Sequence, residues 1–387
     1  MEYSNYDDTY DDIYDDTYDD ISDDDELINN NEKINLGVCR YNNIMGITCY
    51  MNSILHILQH IPLFVEYIYN FEFEKVLLNK INNSDTLINE YIIYELHRLF
   101  KKSIDNNNLT ITPTTFKNLI GLKNDMWNEY NHQDSQEFFN FLIYQIKEEV
   151  GLKTPYINKK NYEQNKTINE SINNIIATNA LTTYLSPDYS ELTDLFNGLY
   201  ENTCMCICCK SKNIKFEPFL TLAIDIDKTD SQTDIYKCLD NLCSEQQLDN
   251  DNKLICGFCG LSNKAYKKTL LWKTPKILVI HIKRFEITTQ KITTNVIYPI
   301  KNLDISNYIN SKSPFKLDCK YDLIGINLHE GLGCSKNINA GHYTSIVKNR
   351  INNNWYFYND SNEPILICDK EDLQSNDAYL LFYYRHN

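Results

Sequence analysis

The chain has no apolar run approaching the ~18 residues that a membrane-spanning helix needs, so no membrane partner is expected. It has no Lys or Arg before Lys33 and no basic-then-apolar segment at its start. A secretory leader is therefore not expected, and a cytosolic or nuclear location is. Nor is there a surplus of positive charge. Eleven aspartates and two glutamates within residues 1–26 carry −13 of the formal −16, leaving about −3 for the rest. A near-neutral remainder offers no electrostatic footprint for nucleic acid. No pattern points to a self-pairing surface, and a monomer is expected.

What is present falls into two unequal parts. Residues 1–35 open with "YDDTYDDIYDDTYDDISDDDE", a four-residue repeat whose carboxylates repel and which has no apolar face to bury. It reads as a disordered acidic tail, solvating or able to meet a basic partner. From residue 36 to 387 the composition is globular. Met51, Ile54, Leu55, Leu58 and Ile61 follow helical spacing, which Pro62 is expected to stop. "YIIYELHRLF" and "SQEFFNFLIYQIKEEV" read as two more amphipathic helices, and the Asn-rich run 158–179 as an insertion or mobile loop. After Phe216 the periodicity becomes that of strands: "FLTLAIDI", "KILVIHIKRF", "YDLIGINLH", "HYTSIVKN", "WYFYND" and "AYLLFYYR". Helices first and strands later predict an α+β fold with a mainly antiparallel sheet.

Thirteen cysteines in a reducing compartment point to metal or catalysis rather than disulfides. Cys49 opens a helix, where the positive end of the dipole favours a thiolate; a buried structural thiol is the plain alternative. A nucleophile needs a base and a group to orient it. His56 and His60 are expected on the same helix as Cys49, pointing away or onto the packing face. His342, where a glycine-bearing loop enters a strand, is the better candidate, with Asn359 at the end of "WYFYND" to orient it. The order Cys, His, Asn is that of papain-like proteases. The Cys-to-His gap is far beyond the ~130–150 residues of papain, so something large is inserted. That insertion holds Cys206 and Cys209 as one C-x-x-C and Cys256 and Cys259 as another. Paired knuckles can give four thiolates to one structural zinc ion. Cys204 and Cys208 leave the ligand set open on the first side, and a disulfide or apolar cluster is the alternative. Cys238 and Cys243 read as core.

These residues carry a resemblance. "GITCYMNSILHIL" resembles the cysteine box of ubiquitin-specific proteases, and "HQDSQEFFNFL" their Q-D-x-Q-E-F helix. "LFNGLYENTCMCICC", "FEPFLTLAIDI" and "KTPKILVIHIKRF" are similar to the segments that flank their fingers. "GHYTSIV", "WYFYND" and "AYLLFYYR" are similar to their histidine box and last strands. The blocks run in family order from about Leu36 to Arg385. The resemblance implies a papain-like cysteine peptidase with a helical thumb bearing Cys49 and a β palm bearing His342 and Asn359. Zinc-bearing β fingers, about 196–275, would grip ubiquitin. It implies hydrolysis after the C-terminal glycine of ubiquitin through a thioester. It also implies that Gln133, Asp134, Gln136 and Glu137 line the channel for an Arg-rich substrate tail, with His329 lining or supporting it and Tyr343 narrowing it.

Three positions depart from the family pattern, one of them mildly: Asn359 stands where Asp is commoner, as Asn does in papain-like triads. The asparagine that donates to the oxyanion, five residues before the nucleophile, is Ile44 here, and the residue two before is Ile47. Losing one such donor costs ~10²–10³ in rate. Asn43, through a shifted register, and Asp360, through water or by supporting His342, are the candidates to compensate. The competing readings are a ubiquitin-binding scaffold with impaired chemistry and a protease for a ubiquitin-like modifier.

Overall fold

The computed structural model describes residues 37, 39–106, 109–129, 131–151, 172–185, 190–227, 231–249, 253–285, 291–316, 319–331 and 341–386. The acidic repeat, residues 158–171 of the Asn-rich run, and the loop leading to Gly341 lie outside them.

The first part of the chain is helical: α1 (Cys49–Leu58), α2 (Pro62–Tyr69), α3 (Glu74–Ile81), α4 (Ile92–Asp105), α5 (Thr114–Lys123) and α6 (Ser135–Val150). A short parallel pair, β1 (Arg40–Tyr41) and β2 (Thr110–Ile111), ties the entry of the chain to the turn after α4. Pro62 does not stop α1, which ends at Leu58. It starts α2 instead, because proline at the first helical position gives up an N–H that has no intrahelical partner anyway. Residues 172–179, expected as loop, belong to α7 (Ile172–Leu185), whose Ala177 and Leu181 pack against Leu199, Phe216 and Trp272; the short α8 (Glu191–Asp194) follows. Asn-rich composition obscured a helix that is stabilised by tertiary packing.

The remaining chain builds two sheets. The smaller holds β3 (Gly198–Cys206), β4 (Lys212–Phe219), β7 (Gln246–Leu248) and β10 (Ala265–Lys273) in the order β4-β3-β10-β7. The larger has the order β17-β16-β15-β14-β18-β11-β5, with β13 (Leu303–Asp304) pairing to β14. Its members are β5 (Thr221–Asp225), β11 (Ile277–Lys283), β14 (Lys320–Gly331), β15 (Gly341–Lys348), β16 (Trp355–Tyr358), β17 (Ile365–Ile367) and β18 (Ala378–Arg385). All neighbours are antiparallel except β11 and β5. The short pairs β6 (Gln232–Asp234) with β12 (Asn295–Ile297), and β8 (Leu254–Ile255) with β9 (Ser262–Asn263), complete the strands. The α+β expectation matches this architecture of helical thumb, β palm and β fingers.

Alternation along the palm strands decides which core each residue joins. Ile277, Val279, Leu380 and Phe382 face the helices, whereas Leu278, Ile280, Leu381 and Tyr383 face a second core under α9 (Ile235–Cys243). Helix α1 lies wholly in the first core: all ten residues are buried, polar ones included. Its close approach depends on Gly325 of β14, where an added Cβ would come within 2.8 Å of the Ile57 side chain. A buried polar link then sets α1, β14 and α6 relative to one another. Asn327 donates from Nδ2 to Ser53 Oγ (2.8 Å) and accepts at Oδ1 from Ser135 Oγ (2.7 Å). With both ends satisfied, such a link rigidifies; truncating Asn327 would leave two buried hydroxyls without their partner.

Candidate active site and cysteine knot

Cys49 is the first residue of α1 and is only 1% exposed. Above it stands His342, the second residue of β15, brought there by the packing of α1 on that strand. The imidazole has two partners. Its Nε2 meets Asn359 Oδ1 at 2.8 Å, just past the end of β16, and the side chain also hydrogen-bonds Cys49. That contact with the sulfur is the main reason the His342 pKa rises to about 9; burial opposes it, and Asn359 and Asp360 add to it. The three residues expected to work together are therefore adjacent. His56 and His60 are not part of this group. Both are buried in the thumb core beside Tyr358, and burial lowers each to about 3.

Asp360 follows Asn359 in a left-handed turn (φ 49°) and carries a dense set of contacts. Its Oδ2 lies 3.6 Å from His342 Nε2 and accepts from Asn43 Nδ2 at 2.9 Å, while its Oδ1 accepts from Asn52 Nδ2 at 2.7 Å. Burial pushes its carboxyl above the usual range, against the pull of those amides and of His342. Asn52 was not singled out from sequence. Its only local signal is a buried position on α1 one turn after Cys49. Ile44 begins a tight turn, Ile44–Gly46, in which Met45 adopts φ 52° and is 74% exposed.

The residues implied to line a channel divide in their roles. Asp134 is the N-cap of α6: its Oδ1 accepts from the N–H groups of Gln136 (2.6 Å) and Glu137 (3.1 Å), and its Oδ2 from Tyr379 Oη (2.5 Å). It is thus committed to the fold, and an asparagine- or aspartate-type cap of this kind contributes about 1 kcal/mol. Glu137 is exposed, with a pKa raised by burial of its carboxyl and by Asp134. Gln136 Nε2 reaches Thr221 Oγ1 of β5 (3.2 Å), and Gln133 Nε2 reaches the Met126 carbonyl (2.9 Å). His329 and Tyr343 are cross-strand neighbours, buried, with ring centroids 4.6 Å apart. Tyr379, missed from sequence, packs on both.

At the far end of the small sheet the four knuckle cysteines converge. The sulfurs of Cys206, Cys209, Cys256 and Cys259 all lie within 4.8 Å of one another, with Cys206–Cys259 at 3.9 Å and Cys209–Cys256 at 3.6 Å. Four Zn–S bonds of 2.3 Å at tetrahedral angles would separate the sulfurs by about 3.8 Å, so the set fits a zinc-sized ion. The two knuckles share one backbone plan. Lys210 N–H bonds the Cys206 carbonyl at 3.0 Å, and Gly260 N–H bonds the Cys256 carbonyl at 2.8 Å. Both turn residues are left-handed (φ 58° and 70°). Cys204 is not in the cluster; it sits within β3, paired to Asn213 and Lys267. Cys208 is exposed in the turn, and Cys238 and Cys243 are on α9, where burial pushes both to about 11.

A helix-borne thiol under a strand-borne imidazole, in a thumb-and-palm α+β fold with β fingers, defines the papain-like cysteine peptidase class. A family model described as ubiquitin carboxyl-terminal hydrolase matches residues 39–383, and the chain belongs to that family. It is 28% identical over 356 residues to ubiquitin carboxyl-terminal hydrolase Usp2 of Drosophila melanogaster, covering 90% of this chain and 35% of the fly protein. It is 29% identical over 329 residues to ubiquitin carboxyl-terminal hydrolase 4 of Arabidopsis thaliana, covering 83% of each. The chain thus spans about a third of the fly relative and most of the plant one. Among solved structures it is similar to the SAGA Ubp8/Sgf11/Sus1/Sgf73 DUB module bound to ubiquitin aldehyde. The TM-score is 0.66 at 26% identity, over 91% of this chain and 70% of that one. The yeast SAGA DUBm matches with a TM-score of 0.65, also at 26% identity, over 91% and 69%. Both are multi-subunit modules, so the expectation of a monomer draws no support from them.

Proposed function

We propose that this chain is a thiol-dependent deubiquitinase that cleaves the peptide or isopeptide bond after the C-terminal glycine of ubiquitin. The observation that carries the reading is His342, held between Cys49 and Asn359 by elements far apart in the chain. In this mechanism the Cys49 sulfur attacks the glycine carbonyl carbon while Asn359 holds the imidazolium ring. His342 then gives its proton to the departing amine nitrogen, the C–N bond breaks, and a thioester remains. His342 next takes a proton from water, whose oxygen displaces the sulfur and frees the ubiquitin carboxylate. Glu137 suits an arginine of the substrate tail, since charge-assisted hydrogen bonds are the stronger kind. Ubiquitin as partner is supported by the family and by the solved neighbour bound to ubiquitin aldehyde. Zinc as the ion of the four-cysteine cluster is supported by the sulfur spacing; it would stiffen the fingers and take no part in the chemistry.

A second reading follows from Ile44, which has no donor to offer an oxyanion: a scaffold that holds ubiquitin without cutting it. Turnover of a fluorogenic ubiquitin amide by the purified protein, beside Cys49→Ala, separates the two. Hydrolysis that disappears in the variant, with ubiquitin affinity kept, is expected. Retained binding with no hydrolysis by the wild type would leave the scaffold.

A further inference from the structure

Attack by Cys49 places negative charge on a carbonyl oxygen, and that charge has to be met by aimed donors. Helix geometry leaves the N–H of Cys49, the first residue of α1, without an intrahelical acceptor, which supplies one. We infer that Asn43 supplies the second: its Nδ2 donates to the oxyanion in place of the side chain missing at position 44, and Asp360, pinned by Asn52, aims it. The inference rests on the hydrolase reading above.

The orientation of the Asn43 amide follows from its partners. Its Oδ1 accepts from the Thr48 backbone N–H at 2.7 Å, and an N–H cannot be an acceptor, so the amide nitrogen must point the other way. There it donates to Asp360 Oδ2 at 2.9 Å. That bond uses one of two Nδ2 hydrogens and leaves the second for a substrate oxygen. The amide is thereby bracketed. On one side is the peptide that leads into Cys49; on the other is the carboxyl that flanks His342 Nε2 at 3.6 Å. The tight Ile44–Gly46 turn explains how the register shifts by one residue: Thr48 Oγ1 accepts from the Ile44 N–H at 2.9 Å, closing the loop on Asn43.

Asp360 beside an oxyanion would repel it directly, so its place here needs another reason. Its two oxygens are taken by two amides, Asn43 and Asn52. Asn52 lies one turn after Cys49 on the same helix and also donates to the Asn42 carbonyl at 3.2 Å. The group that aims the donor is therefore anchored to the helix that carries the nucleophile. Asn43 acts on the reacting atoms; Asp360 and Asn52 are positioning residues.

The test compares Asn43→Ala with Asn43→Ser, neutral variants that remove the amide donor without setting a second carboxylate against Asp360. Both are expected to lower kcat on a ubiquitin amide by about 10²–10³-fold. KM, ubiquitin affinity and the rate of Cys49 alkylation by iodoacetamide should stay within about twofold of wild type. Affinity for ubiquitin aldehyde, whose adduct with Cys49 carries the tetrahedral oxygen, should fall along with kcat. Asp360→Asn should lower kcat and affinity for ubiquitin aldehyde together by about tenfold with ubiquitin affinity unchanged, as a positioning residue would. A kcat within threefold of wild type in both Asn43 variants would overturn the donor role while leaving the hydrolase reading intact. So would an alkylation rate that falls as far as kcat, which marks a structural defect. A wild type with neither turnover nor a Cys49–aldehyde adduct would overturn the hydrolase reading, and this inference with it.

Discussion

Cys49 and the four knuckle cysteines present the same atom to opposite surroundings. Cys49 is buried at the start of a helix, and the base brought to it is an imidazole from β15. The knuckle sulfurs sit in tight turns, and their neighbours are one another, Ser211 and backbone N–H groups. No histidine is among the metal-capable groups found in the described residues. A lone thiol beside a base can attack and be released; four sulfurs within 4.8 Å of one another, with no histidine among them, suit a shared cation instead. The difference teaches that thiol chemistry in this protein is set by what the distant chain delivers: His342 to Cys49, and the second C-x-x-C turn to the first.

The largest effect that would sharpen this comparison is loss of the cation. Cys256→Ser should take bound zinc, measured by elemental analysis, from about one ion per chain to near none. Because a structural ion contributes its binding energy to folding, Tm should fall by about 5 °C or more. Alkylation of Cys49 should be unaffected, because the cleft and the knot have separate cores. A variant that kept its metal and its Tm would break the comparison.

The next effect is on pH. His342 is raised from the ordinary histidine range to about 9. A group raised in the folded state contributes stability fully below its ordinary value, and that contribution is lost as pH rises through the folded value. In the proposed mechanism the imidazolium gives its proton to the leaving amine, so activity should also decline as pH rises through about 9, and the NMR titration of His342 should move toward the ordinary range in Cys49→Ala. The knot should respond in the opposite sense, releasing its metal in acid as the thiolates protonate. A His342 midpoint that ignored Cys49 would show that the two side chains are not coupled.

The smallest effect compares the knuckles with each other. Lys210 occupies a left-handed turn position that its counterpart fills with Gly260. A non-glycine residue there costs about 1–2 kcal/mol, partly offset by the extra entropy glycine loses on folding. Lys210→Gly should stabilise by up to about 1 kcal/mol in denaturant melts, with turnover unchanged. A loss of stability would assign the lysine side chain a contact of its own.

Much of the site was legible from sequence because its parts are written locally. Cys49 heads an apolar helical stretch, the C-x-x-C pairs mark turns, and α6 begins and ends where "SQEFFNFLIYQIKEEV" does. The helices α2, α3 and α5 were not read, since their apolar spacing is interrupted by polar and β-branched residues. Which thiols would share a cation stayed open among Cys204, Cys206, Cys208 and Cys209. The strand pairing places Cys204 inside β3 and Cys206 at its end, and the sulfur cluster takes in Cys206 and Cys209. Asp134 read as a channel carboxylate, but its oxygens are engaged in capping α6 and in holding Tyr379.

By itself the sequence determined the crowding of carboxylates into residues 1–26, the α+β class, the thiol at a helix start, the paired knuckles, and the absence of the usual donor at Ile44. Those depend on composition, periodicity and short spacing, which act within a few residues. Only the tertiary structure decided that Asn359 meets His342, that Asn327 joins α1 to α6, and that Asn43 and Asn52 close on Asp360. These are short polar contacts between buried or half-buried groups, some 308 or more residues apart in the chain. Their geometry depends on how helices and strands pack, and no local pattern encodes it.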